Sequence, residues 1–205
     1  MKIGISENRK ITLTIGQLRR LVRESIQNDE DFEINDGVLV GCHSAKRNIV
    51  IPDGVVSIGD DAFYSCPNLT SVIIPDSVTS IRMAAFSGCE QLTSVTIPSS
   101  VTSIGDLAFH FCTRLSSMTI PDSVTSIGDS AFWGCRRLTK VVIPNSVTSI
   151  GDAAFRDCNF LKTIRVARED QKEMILKSHS DLPRTTSIIV DGDDDDMLVR
   201  AGINR

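Results

Sequence analysis

The sequence predicts a protein of the α/β class that is mostly β. Its 23-residue coils form a solenoid of parallel strands and short helical turns, with a helical N-terminal cap and a strand-helix-strand C-terminal cap. Three observations predict it. Pro52, Pro75, Pro98, Pro121 and Pro144 stand 23 residues apart, and Phe63, Phe86, Phe109, Phe132 and Phe155 repeat that step, as do Cys66 to Cys158 and Leu69 to Leu161. Self-similarity at a short fixed period marks a chain in which each repeat buries its apolar face only against its neighbours. Aromatic residues make up only 5% of the chain, so Val, Ile and Leu fill the apolar positions, as stacked parallel strands require.

Residues 1–31 read as an extension with a capping helix. Thr14 and Gln17 form a capping box, and Ile15, Leu18, Leu21, Val22 and Ile26 recur at helical spacing over a solvated face of Arg19, Arg20 and Arg23. Residues 32–45 read as a hairpin, because Asp36-Gly37 supplies the positive φ angles of a tight turn between two short apolar runs. Such a hairpin would cover the backbone groups that an open first coil leaves unpaired.

Residues 46–166 hold the coils. In the stretch 69–74, Leu69, Val72 and Ile74 point inward and Ser71 and Ile73 outward, until Pro75 ends the strand for want of an N–H. A second short strand over 77–81 buries Val78 and Ile81. Gly59, Gly105, Gly128 and Gly151 are expected at positive φ in the turn that follows. Asp60, Asp106, Asp129 and Asp152 are expected to cap the short helical turn that holds Ala-Phe. The second coil carries Arg82-Met83 in place of Gly-Asp, which reads as drift in a redundant scaffold. Residues 167–190 form the closing cap, with a helix over 168–177 and a last strand over 185–190, and 191–205 are an acidic tail.

Charge and composition narrow the function. A net charge of −4 leaves no basic surface of the kind nucleic acid needs, and no run approaches the roughly 20 apolar residues of a membrane span. Residues 1–15 hold no apolar stretch of signal-peptide length, which predicts a cytoplasmic protein. Of the six cysteines, five occupy one repeat position and point the same way, so free buried thiols are expected in place of disulfides. That line of sulfurs cannot converge on a tetrahedral metal. His43, His110 and His179 are scattered, and the acidic tail lacks the Gly and Glu spacing of a calcium loop. The reading is therefore no enzyme, no metal and no cofactor.

The pattern Leu-x-x-Val-x-Ile-Pro-x-Ser-Val-Thr-Ser-Ile-Gly-x-x-Ala-Phe-x-x-Cys closely resembles the BspA-like, or Treponema-type, class of leucine-rich repeats over about residues 32–190. The resemblance implies a curved leucine-rich-repeat solenoid that binds proteins or other macromolecules. Many relatives are secreted or surface-anchored and take part in adhesion, so the resemblance also implies a surface adhesin as the alternative to an intracellular interaction module. Monomer and homo-oligomer both stay open.

The blanks of the repeat are where recognition can be written. The exposed strand positions are mostly small and hydroxylic: Ser71, Ser94, Ser117, Lys140 and Thr163, then Ile73, Thr96, Thr119, Val142 and Arg165. The positions around Phe-x-x-Cys vary far more, and supply Tyr64, His110, Phe111, Trp133, Arg136, Arg137, Arg156 and Phe160. Tyr, Trp and Arg are the residues enriched at binding hot spots, so the first seven are the candidate partner-binding residues, with Trp133, Arg136 and Arg137 foremost.

Overall fold

Apolar residues alternate with polar ones twice in each coil, and all but one of these alternations become strands with one face in the core. In a computed structural model, residues 31–178 and 182–191 are described. The helix expected over 14–28, His179 and the acidic tail beyond Asp191 lie outside the described residues.

A hairpin of β1 (Phe32–Asn35) and β2 (Val38–Cys42) opens the fold, turning at Asp36 and Gly37 with φ of 49° and 75°. It does close the first coil: β2 runs parallel to β4 (Ser57–Ile58), with Leu39 opposite Ile58. From there β6 (Ser80–Ile81), β8 (Ser103–Ile104), β9 (Ser126–Ile127) and β11 (Ser149–Ile150) extend one sheet in the order β1-β2-β4-β6-β8-β9-β11.

The other strand of each coil builds a second wall, in two pieces. β3 (Asn48–Val50), β5 (Ser71–Ile73) and β7 (Ser94–Thr96) form one sheet; β10 (Lys140–Ile143), β12 (Thr163–Val166) and β13 (Ser187–Val190) form another. Between them, residues 117–119 fall on the repeat but join neither ladder. Met118 stands where the neighbouring coils place the β-branched Val95 and Val141, and methionine holds a pleat less well. An open groove of ≈ 330 Å³ marks the lapse, lined by Ser94 to Ile97 and by Ser117, Met118 and Thr119.

The core is continuous from Phe32 to Val190. Its axis is the stack of Phe63, Phe86, Phe109, Phe132 and Phe155, each fully buried, with ring centroids 4.8–5.5 Å apart and planes within 10°. Beside it, the thiols of Cys89, Cys112, Cys135 and Cys158 each donate to the carbonyl of the phenylalanine one coil back, at 3.0–3.2 Å. Burial pushes the Cys112 and Cys135 thiols well up and that of Cys158 to about 12, so these groups stay protonated donors. All six cysteines are free, with Cys42 and Cys66 only half-buried.

Two expectations about the turn are corrected. Gly59, Gly105, Gly128 and Gly151 are not left-handed; the positive φ angles fall at Asp61, Ala84, Leu107, Ser130 and Ala153, and again at Ser65, Gly88, Phe111, Gly134 and Asp157. What demands glycine is clearance: a Cβ on Gly128 would lie 2.4 Å from the Asp106 backbone nitrogen, and one on Gly151 equally close to that of Asp129. The aspartates do not cap their own turns either. Asp60, Asp106 and Asp129 accept the backbone N–H of Met83, Asp129 and Asp152, one coil on. With left-handed residues in it, the stretch becomes a chain of tight turns instead of a helical one, Tyr64 N–H bonding Asp61 O and Arg156 N–H bonding Ala153 O.

The closing helix, α1 (Glu169–Ser178), falls where the sequence places it and caps the coils through Gln171. That side chain is fully buried and fully bonded: its oxygen accepts the N–H groups of Ala167 and Arg168, and its amide donates to the carbonyls of Pro144 and Val147. In earlier coils a serine hydroxyl does this, Ser77, Ser100 and Ser123 reaching Val55, Val78 and Val101. The repeat position after Val147 is Glu169, so Gln171 and Arg168 take over the carbonyl.

Candidate interaction site

The period that aligns the phenylalanines also aligns the residues one place on. Tyr64, Ser87, His110, Trp133 and Arg156 form one column outside the core, and Ser65, Gly88, Phe111, Gly134 and Asp157 the next. Coils three to five bring five of the seven predicted residues together there. His110 meets Phe111 edge-on at 4.4 Å and Trp133 at 5.3 Å. Phe111 and Trp133 lie 6.4 Å apart. The Arg156 guanidinium sits 4.9 Å from the Trp133 ring centre, and that of Arg136 5.9 Å from Phe111, both in cation–π range.

Polar bonds hold the cluster in place. The Trp133 indole N–H donates to Asp157 at 3.0 Å, and Ser87 shares a hydrogen bond with His110 Nδ1 at 3.2 Å. Burial holds the His110 imidazole below its ordinary pKa, so it is neutral at pH 7. Arg137 is exposed beside Arg136, and Phe160, one repeat on from Arg137, is 63% exposed. Tyr64 stands apart at the far end of its column, 59% exposed.

Two contributors were missed from the sequence. Asp157 orients Trp133, and Gly134 makes room for Phe111: a Cβ there would lie 2.7 Å from the ring. A signal existed, since Phe111 is the one large residue in a column of small ones, but it points at a neighbour 23 residues away.

The strand-wall groove is lined by aliphatic and hydroxyl side chains with no titratable group, and no set of three His, Cys, Asp or Glu side chains among the described residues is arranged to hold a metal. No helix among the described residues is long and apolar enough to cross a membrane.

A parallel-stranded solenoid with a 23-residue repeat defines a leucine-rich-repeat protein. Six copies of the BspA type leucine rich repeat region match residues 33–164, and the chain belongs to that family. Among solved structures it is similar to a leucine-rich repeat protein of T. pallidum, with 35% identity, a TM-score of 0.66, and coverage of 68% of this chain and 70% of that one. A leucine-rich cell surface protein of Faecalibacterium prausnitzii shares 37% identity at a TM-score of 0.63, matching 67% of this chain but 37% of its own. A leucine-rich repeat protein of Bacteroides ovatus shares 31% identity at a TM-score of 0.57, with coverage of 65% of this chain and 44% of that one. No curated protein matches the sequence.

Proposed function

We propose that this chain is a non-enzymatic protein-interaction module that engages its partner through the turn face of coils three to five. The observation that supports this reading is the contrast within one turn. The phenylalanine column is invariant and buried, while the next column runs Tyr, Ser, His, Trp, Arg and clusters its aromatic and cationic members at the surface. A scaffold does not dictate those residues, and their types are the ones hot spots use. Affinity capture from the native host tests it, comparing wild type with a Trp133→Ala, Arg137→Ala double variant. Partner recovery should fall severalfold; undiminished recovery removes the patch.

A surface adhesin is the second reading, favoured by the cell-surface designation of the F. prausnitzii relative. Fractionation of the host separates the two, because an adhesin is recovered outside the cell and an intracellular module is not.

A further inference from the structure

We propose that the surface around Phe111 and Arg136 receives carboxylate side chains from an acidic segment of a partner protein, with Arg136 as the contact group. This rests on the turn face being the interaction surface. The first observation is a misfit. The second left-handed position of the turn holds Ser65, Gly88, Phe111, Gly134 and Asp157, at φ of 53°, 74°, 52°, 75° and 55°. Small, glycine or Asp residues suit that conformation, whereas a bulky aromatic resists it. Such strain gathers where a side chain is wanted for recognition.

Core burial does not account for Phe111, which is only half-buried. The neighbouring coil nonetheless accommodates it, with Gly134 leaving the space its ring fills. Two positions 23 residues apart are thus adapted to one aromatic ring. That ring carries the Arg136 guanidinium, as Trp133 carries that of Arg156. A guanidinium held over a ring keeps its planar fork of N–H donors, the geometry that pairs with the two oxygens of a carboxylate.

Charge points the same way. The chain carries −4 overall, yet the segments 109–115, 132–138 and 155–161 hold Arg114, Arg136, Arg137 and Arg156 against Asp157, while Asp106 and Asp129 at the start of the turn are bonded to backbone N–H groups one coil on. Asp157 is engaged with the Trp133 indole. An acidic segment is the complement of that local inversion.

Trp133 is the only tryptophan, so intrinsic fluorescence reads the site directly. The probes are synthetic peptides of about six residues, all Glu, all Lys or all Ser, with heparin as a sulfated polyanion. The Glu peptide should change Trp133 emission saturably, and binding should weaken roughly tenfold in Arg136→Gln and when salt rises tenfold. Phe111→Asn, whose side chain tolerates the left-handed backbone, should keep the thermal midpoint while weakening the peptide as much. A silent Glu peptide, equal binding by Arg136→Gln, or a response to heparin alone would overturn the proposal. Capture of a partner that depends on Trp133 and Arg137, with a silent Glu peptide, would retire the acidic chemistry and leave the interaction surface standing. Glu-peptide binding through Arg136 with capture indifferent to the patch would retire that reading instead.

Discussion

Two columns one residue apart run the length of this solenoid and obey opposite rules. In the inner one, five phenylalanines stack nearly parallel and none is exposed. In the outer one, tyrosine, serine, histidine, tryptophan and arginine follow one another, and His110 and Trp133 meet at 71°. Stacked coils present the same backbone to both, so the difference lies in what each faces. The inner column meets its own copy above and below, and one shape solves every contact. The outer column, Ser87 apart, meets solvent at least in part, and its residues are released to serve something else.

The comparison can be broken most severely from the inside. Phe109→Ala should cost about 3–5 kcal/mol in urea denaturation, since it leaves a cavity between two rings; a loss below about 1 kcal/mol would mean the stack is not the core. Gly134→Ala reaches across the two columns, because the new methyl group meets Phe111 and a left-handed backbone at φ 75°. It should cost about 1–2 kcal/mol and shift Trp133 emission as the Phe111 ring moves. Tyr64→Ala, in the outer column, should change stability by no more than about 0.5 kcal/mol, so a large loss would show that this column also folds the protein.

The smallest effect is acid titration of His110. Its folded pKa lies below its unfolded value, so the unfolded chain takes up the proton first as pH falls. Stability from this group is level above about pH 6.5 and declines below it. A fluorescence titration of Trp133 should therefore show a midpoint under 6.5, absent in His110→Gln; a midpoint above it would mean that His110 has a charged partner.

Much of this was legible because repetition exposes constraint. The hairpin and the strand ends follow from residues whose reasons are local, a turn needing positive φ and a proline lacking an N–H, and the phenylalanine stack follows from the period itself. The glycines and aspartates of the turn were misassigned because their partners lie one coil away, at the same position of the repeat. Periodicity shows that the position of Gly128 is glycine in four of five coils; it does not show that Asp106 is the neighbour that forbids a side chain at Gly128. The lapse at residues 117–119 and the takeover by Gln171 were hidden for a related reason, since each depends on what an adjacent coil supplies or withholds. Of the candidate site, the alignment of His110, Trp133 and Arg156 could be counted from the period, whereas the parts played by Asp157 and Gly134 needed coordinates.

The turn bonds have an electrical consequence. From Asp61, Phe63 and Ser65 to Ser130, Phe132 and Gly134, three N–H groups per coil donate to carbonyls of the following coil, always in the same direction. Strands largely cancel such dipoles, but these add, as in a helix. One side of the solenoid is therefore polarised along its axis whatever its side chains are, with the positive pole toward the C-terminal coils. Arg136, Arg137 and Arg156 stand at that pole, so the backbone and the side chains attract the same sign of charge.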